Sequence, residues 1–151
     1  MSGDIESGIG IGAEAHLNLQ GSHNVAIGCR AMKGAFQGEG TNNIAIGKEA
    51  GVAINDGTDN IFLGQCAGAK SADVFHNIFM GCGAGCCTTA GSYNVYLGHE
   101  TGKCNQGGAC NVYIGNRTGF AATGGEQNVA IGQSAGYNNN IGSYNIFFGS
   151  G

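Results

Sequence analysis

Seven cysteines and four histidines are the side chains in this 151-residue chain most able to do chemistry. Thiolates and imidazoles can hold zinc, and paired thiols can form disulfides. The odd number of cysteines, Cys29, Cys66, Cys82, Cys86, Cys87, Cys104 and Cys110, excludes a framework in which every one is paired. Cys82, Cys86 and Cys87 with His99 could form a thiolate-rich cluster, but their spacing is not that of a zinc module, and no metal is expected. The histidines, His16, His23, His76 and His99, are scattered. No nucleophile with a base and an orienting acid can be assembled around them. Glu39, Glu49, Glu100 and Glu126 make no facing pair of the glycosidase type. The glycine-rich turns are not followed by Lys-Ser or Lys-Thr, so there is no phosphate-cradling loop. The expectation is a non-enzyme with no catalytic residue and no cofactor.

Composition removes further classes. The formal net charge is −4, with six Lys plus Arg. That is too little positive charge to displace counterions from a phosphate backbone, so no nucleic-acid partner is expected. No apolar run approaches the roughly 18 residues of a membrane span. The acidic start Met1-Ser2-Gly3-Asp4-Ile5-Glu6 lacks the basic and apolar regions of a signal peptide. The chain is therefore expected either to assemble in the cytoplasm, as virion proteins do, or to be part of something longer. There are 31 Gly and no Pro, which excludes collagen. A 42% hydrophobic content rich in β-branched and aromatic residues argues against disorder.

The elements that would position any of these side chains are repeats. A short motif recurs as Asn24-Val25-Ala26-Ile27-Gly28, Asn43-Ile44-Ala45-Ile46-Gly47 and Asn60-Ile61-Phe62-Leu63-Gly64. Copies follow from Asn77, Asn94, Asn111, Asn128 and Asn145, and a degenerate one, Gly8-Ile9-Gly10-Ile11-Gly12, precedes them. After one step of 19, every step from Asn43 to Asn145 is 17. Behind each strand-like motif lies a small residue and then usually Gly: Ala50-Gly51, Ala67-Gly68, Ala84-Gly85, Thr101-Gly102, Thr118-Gly119 and Ala135-Gly136. A -Gly-x-x-Asn- corner often closes the unit, at Gly57, Gly91, Gly108, Gly125 and Gly142.

A 17-residue unit cannot bury its own apolar face. Stacked on its neighbours at about 4.8 Å, it builds one continuous core. The expected fold is therefore all-β: a parallel β-solenoid, or β-roll, of about nine rungs starting near 8, 24, 43, 60, 77, 94, 111, 128 and 145. It forms a single repeat domain over 1–151, roughly 40 Å long at that spacing. Each rung reads as a strand, a tight corner, a second weaker extended segment and a looser corner. The Asn column should form a ladder of amide bonds between rungs. The second and fourth motif positions are read as pointing inward, which turns the third outward. That third column, Ala26, Ala45, Phe62, Phe79, Tyr96, Tyr113, Ala130 and Phe147, then becomes the expected seam between identical copies, the alternative being that another segment of the same chain covers it.

The register also sorts the remaining candidates. Cys87 and Cys104 share a column on adjacent rungs, within disulfide reach, and are the one candidate disulfide. Ile-Gly recurs once per repeat unit, too sparsely for a hexapeptide-repeat acyltransferase. No Asp-containing calcium-roll motif occurs. An ice-binding solenoid needs a long Thr column, and the aligned pair Thr101 and Thr118 extends to no third rung. The final copy, Asn145 to Gly149, carries no capping element, so a self-assembling filament is a further alternative. Receptor contacts would fall where the constant step breaks, around Met32 to Gly40 and His16 to Gln20.

The motifs at 24–28 and 128–132 resemble the head repeats of trimeric autotransporter adhesins. Asn60 to Gly68 and Asn128 to Gly136 look still more like the Asn-Val-Phe-Ile-Gly-x-x-Ala-Gly repeats of phage tail fibres and related surface proteins. The resemblance covers residues 8 to 151, although adhesin head repeats are shorter than the unit found in this chain. It implies a left-handed parallel β-roll in a homotrimer that serves as a stiff shaft or receptor-binding segment. The implied partners are further copies of itself and a cell-surface receptor or glycan. The implied location is a virion or an extracellular or cell surface.

Overall fold

The computed structural model describes residues 8–34 and 37–150. Among them, nine three-residue strands follow in chain order: β1 (Ile9–Ile11), β2 (Val25–Ile27), β3 (Ile44–Ile46), β4 (Ile61–Leu63), β5 (Ile78–Met80), β6 (Val95–Leu97), β7 (Val112–Ile114), β8 (Val129–Ile131) and β9 (Ile146–Phe148). They form one parallel sheet in the order β1 to β9. Every pairing is in register, with Ile44 against Ile61, Ile61 against Ile78 and Ile78 against Val95. The chain is thus an all-β parallel solenoid with one strand per turn. From Asn43 onward, equivalent places in successive turns lie 17 apart in the chain.

The rest of each turn differs from the expected second extended segment. It is a run of turns, because two of its positions take left-handed backbone. One is a non-glycine, such as Glu49 (φ 59), Glu100 (φ 52) or Arg117 (φ 54); the other is the Gly two residues on, such as Gly51, Gly102 or Gly119. These reversals aim successive N–H groups along opposite senses of the coil axis. Glu100 donates to the Cys82 carbonyl of the preceding turn, and Gly102 to the Thr118 carbonyl of the following one, each at 2.9 Å. The turns therefore stay bonded to both neighbours without forming a second sheet.

The Asn ladder forms as the spacing predicts. Asn60 donates its backbone N–H and its Nδ2 to Asn43 Oδ1, both at 3.0 Å. Its Nδ2 also donates to the Val74 carbonyl at 2.7 Å. The backbone part of the pattern recurs from Asn43 through Asn145. Each amide thereby satisfies a buried N–H and closes the corner behind it, which removes the penalty of unpaired polar groups inside the coil.

The inward face of the strands is the reverse of the sequence expectation. Ala26, Ala45, Phe62, Phe79, Tyr96, Tyr113 and Ala130 are fully buried, and Phe147 packs half-buried against the same core. The third column therefore fills the solenoid and is not a seam between copies. The second and fourth positions point outward instead. The physical reason is strand alternation: the ladder fixes Asn inside, so the residue two positions on shares its side.

Candidate functional site

Space inside the coil is shared between two columns. In the turns from Asn60 to Gly119 an aromatic ring at the third position lies on a Gly six residues later. A Cβ on Gly102 would sit 2.5 Å from the Tyr96 ring, and one on Gly85 equally close to Phe79. In the first three turns, where the third residue is small, a larger side chain arrives from elsewhere in the same turn. Met32 accompanies Ala26, Ile54 accompanies Ala45, and His16 accompanies Gly10; all three are buried. The rings form one stack, with Phe62–Phe79, Phe79–Tyr96 and Tyr96–Tyr113 centroids 5.5, 4.7 and 5.2 Å apart. Asn105 Nδ2 donates to Tyr96 Oη. Burial holds the Tyr96 phenol well above its ordinary range and pushes Tyr113 up to about 12, so both stay neutral and act as core.

The chemistry-bearing side chains are not brought together. Among the described residues no group of three or more His, Cys, Asp or Glu is placed to hold a metal ion, so Cys82, Cys86, Cys87 and His99 do not converge. All seven cysteines are free thiols. Cys87 and Cys104 occupy equivalent places on adjacent turns, yet the candidate disulfide is not formed. Burial, with the Cys87 thiol beside it, pushes Cys86 up to about 11. Burial and the Glu49 carboxylate also raise Cys66, and neither environment generates a thiolate nucleophile. His76 stacks on Tyr93 at 4.8 Å and faces Asp59 Oδ2 at 3.8 Å, an exposed corner pair. His99 Nδ1 lies 3.4 Å from Asn116 Nδ2. Of the segments expected to meet a receptor, the earlier one is divided: His16 and Leu19 are buried, while Leu17 and Gln20 are exposed. Ala35 and Phe36 of the later one, like residues 1–7 and Gly151, lie outside the described residues.

The outer surface has two contrasting faces. Next to the strands' Gly corners runs a charged one. Lys33 reaches Glu14 at 2.9 Å, Arg30 reaches Glu49 at 3.0 Å, and Lys103 reaches Glu100 at 2.6 Å. Hydrogen bonding to Lys103 holds the Glu100 carboxyl below its ordinary value. The Arg117 guanidinium lies over the Phe120 and Tyr137 rings, themselves stacked at 5.0 Å. These partly exposed pairs contribute little to stability.

The sheet presents the other face, and it is apolar throughout. One column is Ile9, Val25, Ile44, Ile61, Ile78, Val95, Val112, Val129 and Ile146; the other is Ile11, Ile27, Ile46, Leu63, Met80, Leu97, Ile114, Ile131 and Phe148. The signal for this face was in the sequence: the internal Asn sets the phase, and the aromatic column matches the Gly column that makes room for it. No family model matches the chain, and no curated protein or solved structure matches it either.

Proposed function

We propose that the chain is a structural rod, a shaft or receptor-binding segment of a fibre of the phage tail-fibre or surface-adhesin kind, without catalytic activity. The observation that carries this reading is the uninterrupted stack. Each turn bonds to the next through a strand pair and, from Asn24 onward, an Asn amide, and among the described residues no group of three or more His, Cys, Asp or Glu converges. Such a coil is locally stiff, because each turn is fixed by both neighbours. With the motif resemblance, the reading extends to a left-handed coil, side-by-side assembly as a homotrimer and a place on a virion or cell surface, where the fibre meets a receptor or glycan.

Electron microscopy of the purified chain combined with protease digestion tests the proposal. Short uniform rods, roughly 40 Å long by rung spacing and resistant to protease, are expected. Long filaments built end to end would point to a self-assembling filament instead. Thermal hysteresis at micromolar protein would replace the fibre reading with ice binding. Against that alternative, Thr101 and Thr118 are buried, and the other aligned pair, Thr41 and Thr58, is half-buried and followed by Phe75 in its column.

A further inference from the structure

The outward face of the sheet violates the rule that governs single-sided sheets. A sheet packed on one side and wet on the other alternates apolar-in and polar-out. Here both outward positions of all nine strands are apolar, and none carries a charge or a side-chain N–H or O–H. Ile44, Ile46, Met80 and Ile131 remain 36–40% exposed in mid-rod. The intervening residues are half-buried. Toward the ends the exposure rises, to 57% at Ile11 and 73% at Phe148.

No polar or charged side chain interrupts this face along its nine rungs, about 40 Å at the rung spacing, and an extended exposed apolar patch of this kind marks an interaction surface. The face also has a strict period. Its two columns repeat at the rung spacing of about 4.8 Å, and facing sheets interdigitate at about 10 Å when their corrugations match. Another stack of the same rungs matches that period along the whole rod. A glycan, a nucleic acid or a charged peptide finds no hydrogen-bonding or ionic group on this face to recognise.

We infer that the apolar sheet face of β1–β9 is a self-association surface, occupied by the same face of a second copy of this chain. The inference rests on the rod reading and names its seam. The contact is made by the second and fourth strand positions, and the aromatic third column stays inside each coil. β-branched side chains at most of these positions lose little rotamer freedom on docking, because their χ1 is already restricted.

Sedimentation equilibrium of the full chain at about 1–100 µM, a range of order suited to such an interface, reads the mass directly. The wild type is expected at twice the mass of one chain or a higher integer multiple. The double variant Ile46→Lys/Met80→Lys should be monomeric, with self-association weakened at least a hundredfold and the far-UV circular dichroism unchanged. Gln65→Lys, exposed and outside the two columns, should behave as wild type. If the lysine variant misfolds, Ile46→Thr/Met80→Thr keeps strand-compatible side chains, and it should still weaken association at least tenfold. A wild type that is monomeric throughout, or an oligomer unaffected by the threonine pair, overturns the inference. Protease-resistant rods that are monomeric would sink the docking surface and leave the rod reading standing. Thermal hysteresis in a monomeric chain would sink both.

Discussion

Two buried side chains, Asn60 and His16, show how one coil tolerates polar groups to very different degrees. The Asn60 amide donates to Asn43 and Val74 and accepts from Asn77, so its burial costs little net free energy. His16 occupies the place that Met32 fills one turn later. It is 5% exposed, and neither ring nitrogen has a partner. Burial lowers its pKa from the ordinary 6.5. The unfolded chain therefore takes up this proton near pH 6.5, while the folded chain does so only at lower pH. The unfolded state binds more protons in that window, and stability falls as pH drops through it. His16→Met, which copies the neighbouring turn, is expected to stabilise the first turns by about 1–3 kcal/mol at neutral pH by removing unpaired polar atoms. It should also reduce the loss of stability between pH 7.5 and 5. Urea titrations of both proteins at the two pH values measure the difference; an equal loss in both would show that His16 is not the sensor.

At the level of the single turn, the aromatic residue and its partner glycine are one packing unit. Gly102 has φ +57, and the Tyr96 ring occupies the space where its Cβ would go. Met32 shows that the same left-handed position, with φ 42, can carry a long side chain when the third residue is Ala. Tyr96→Ala alone should cost about 3–5 kcal/mol through the cavity it leaves. Gly102→Met alone should cost about 1–3 kcal/mol or more through overpacking. Together they rebuild the Ala26/Met32 arrangement, and the double variant should be more stable than the sum of the singles by about 1–3 kcal/mol. A denaturant double-mutant cycle reads this coupling. Strict additivity would mean that the two columns do not share one volume.

Across the whole molecule the repeat is a modular rod, since each strand contacts only its sequence neighbours. Removing residues 77–93 takes out one full turn. It joins His76 to Asn94, so Phe62 meets Tyr96 in the stack and every downstream residue keeps its column. That protein should fold cooperatively, shortened by about 4.8 Å, with a modest loss in melting temperature because one turn-to-turn interface is gone. Removing 77–92 instead shifts every later residue by one place. It would send Val112 and Val129 inward and the buried Asn amides outward, and should abolish cooperative melting. Calorimetry of the two deletions separates the outcomes; equal melting would show that the column register does not stabilise the rod.

The sequence alone determined the step of the coil, the parallel in-register stacking and the Asn ladder. A fixed 17-residue spacing brings identical groups to identical places whatever the detailed path. Apolar alternation by itself did not show which side of the strand faces in. Asn60-Ile61-Phe62-Leu63-Gly64 has three consecutive apolar residues, and apolar alternation reads equally well in either phase. The tertiary structure decided this by geometry: the amide ladder and the ring-on-glycine packing both lie within the coil, and they draw the third position in with them. That choice moved the aromatic column into the core and left the second and fourth columns on the surface. The place where the rod can meet another copy of itself is thus set by the packing of rings inside it.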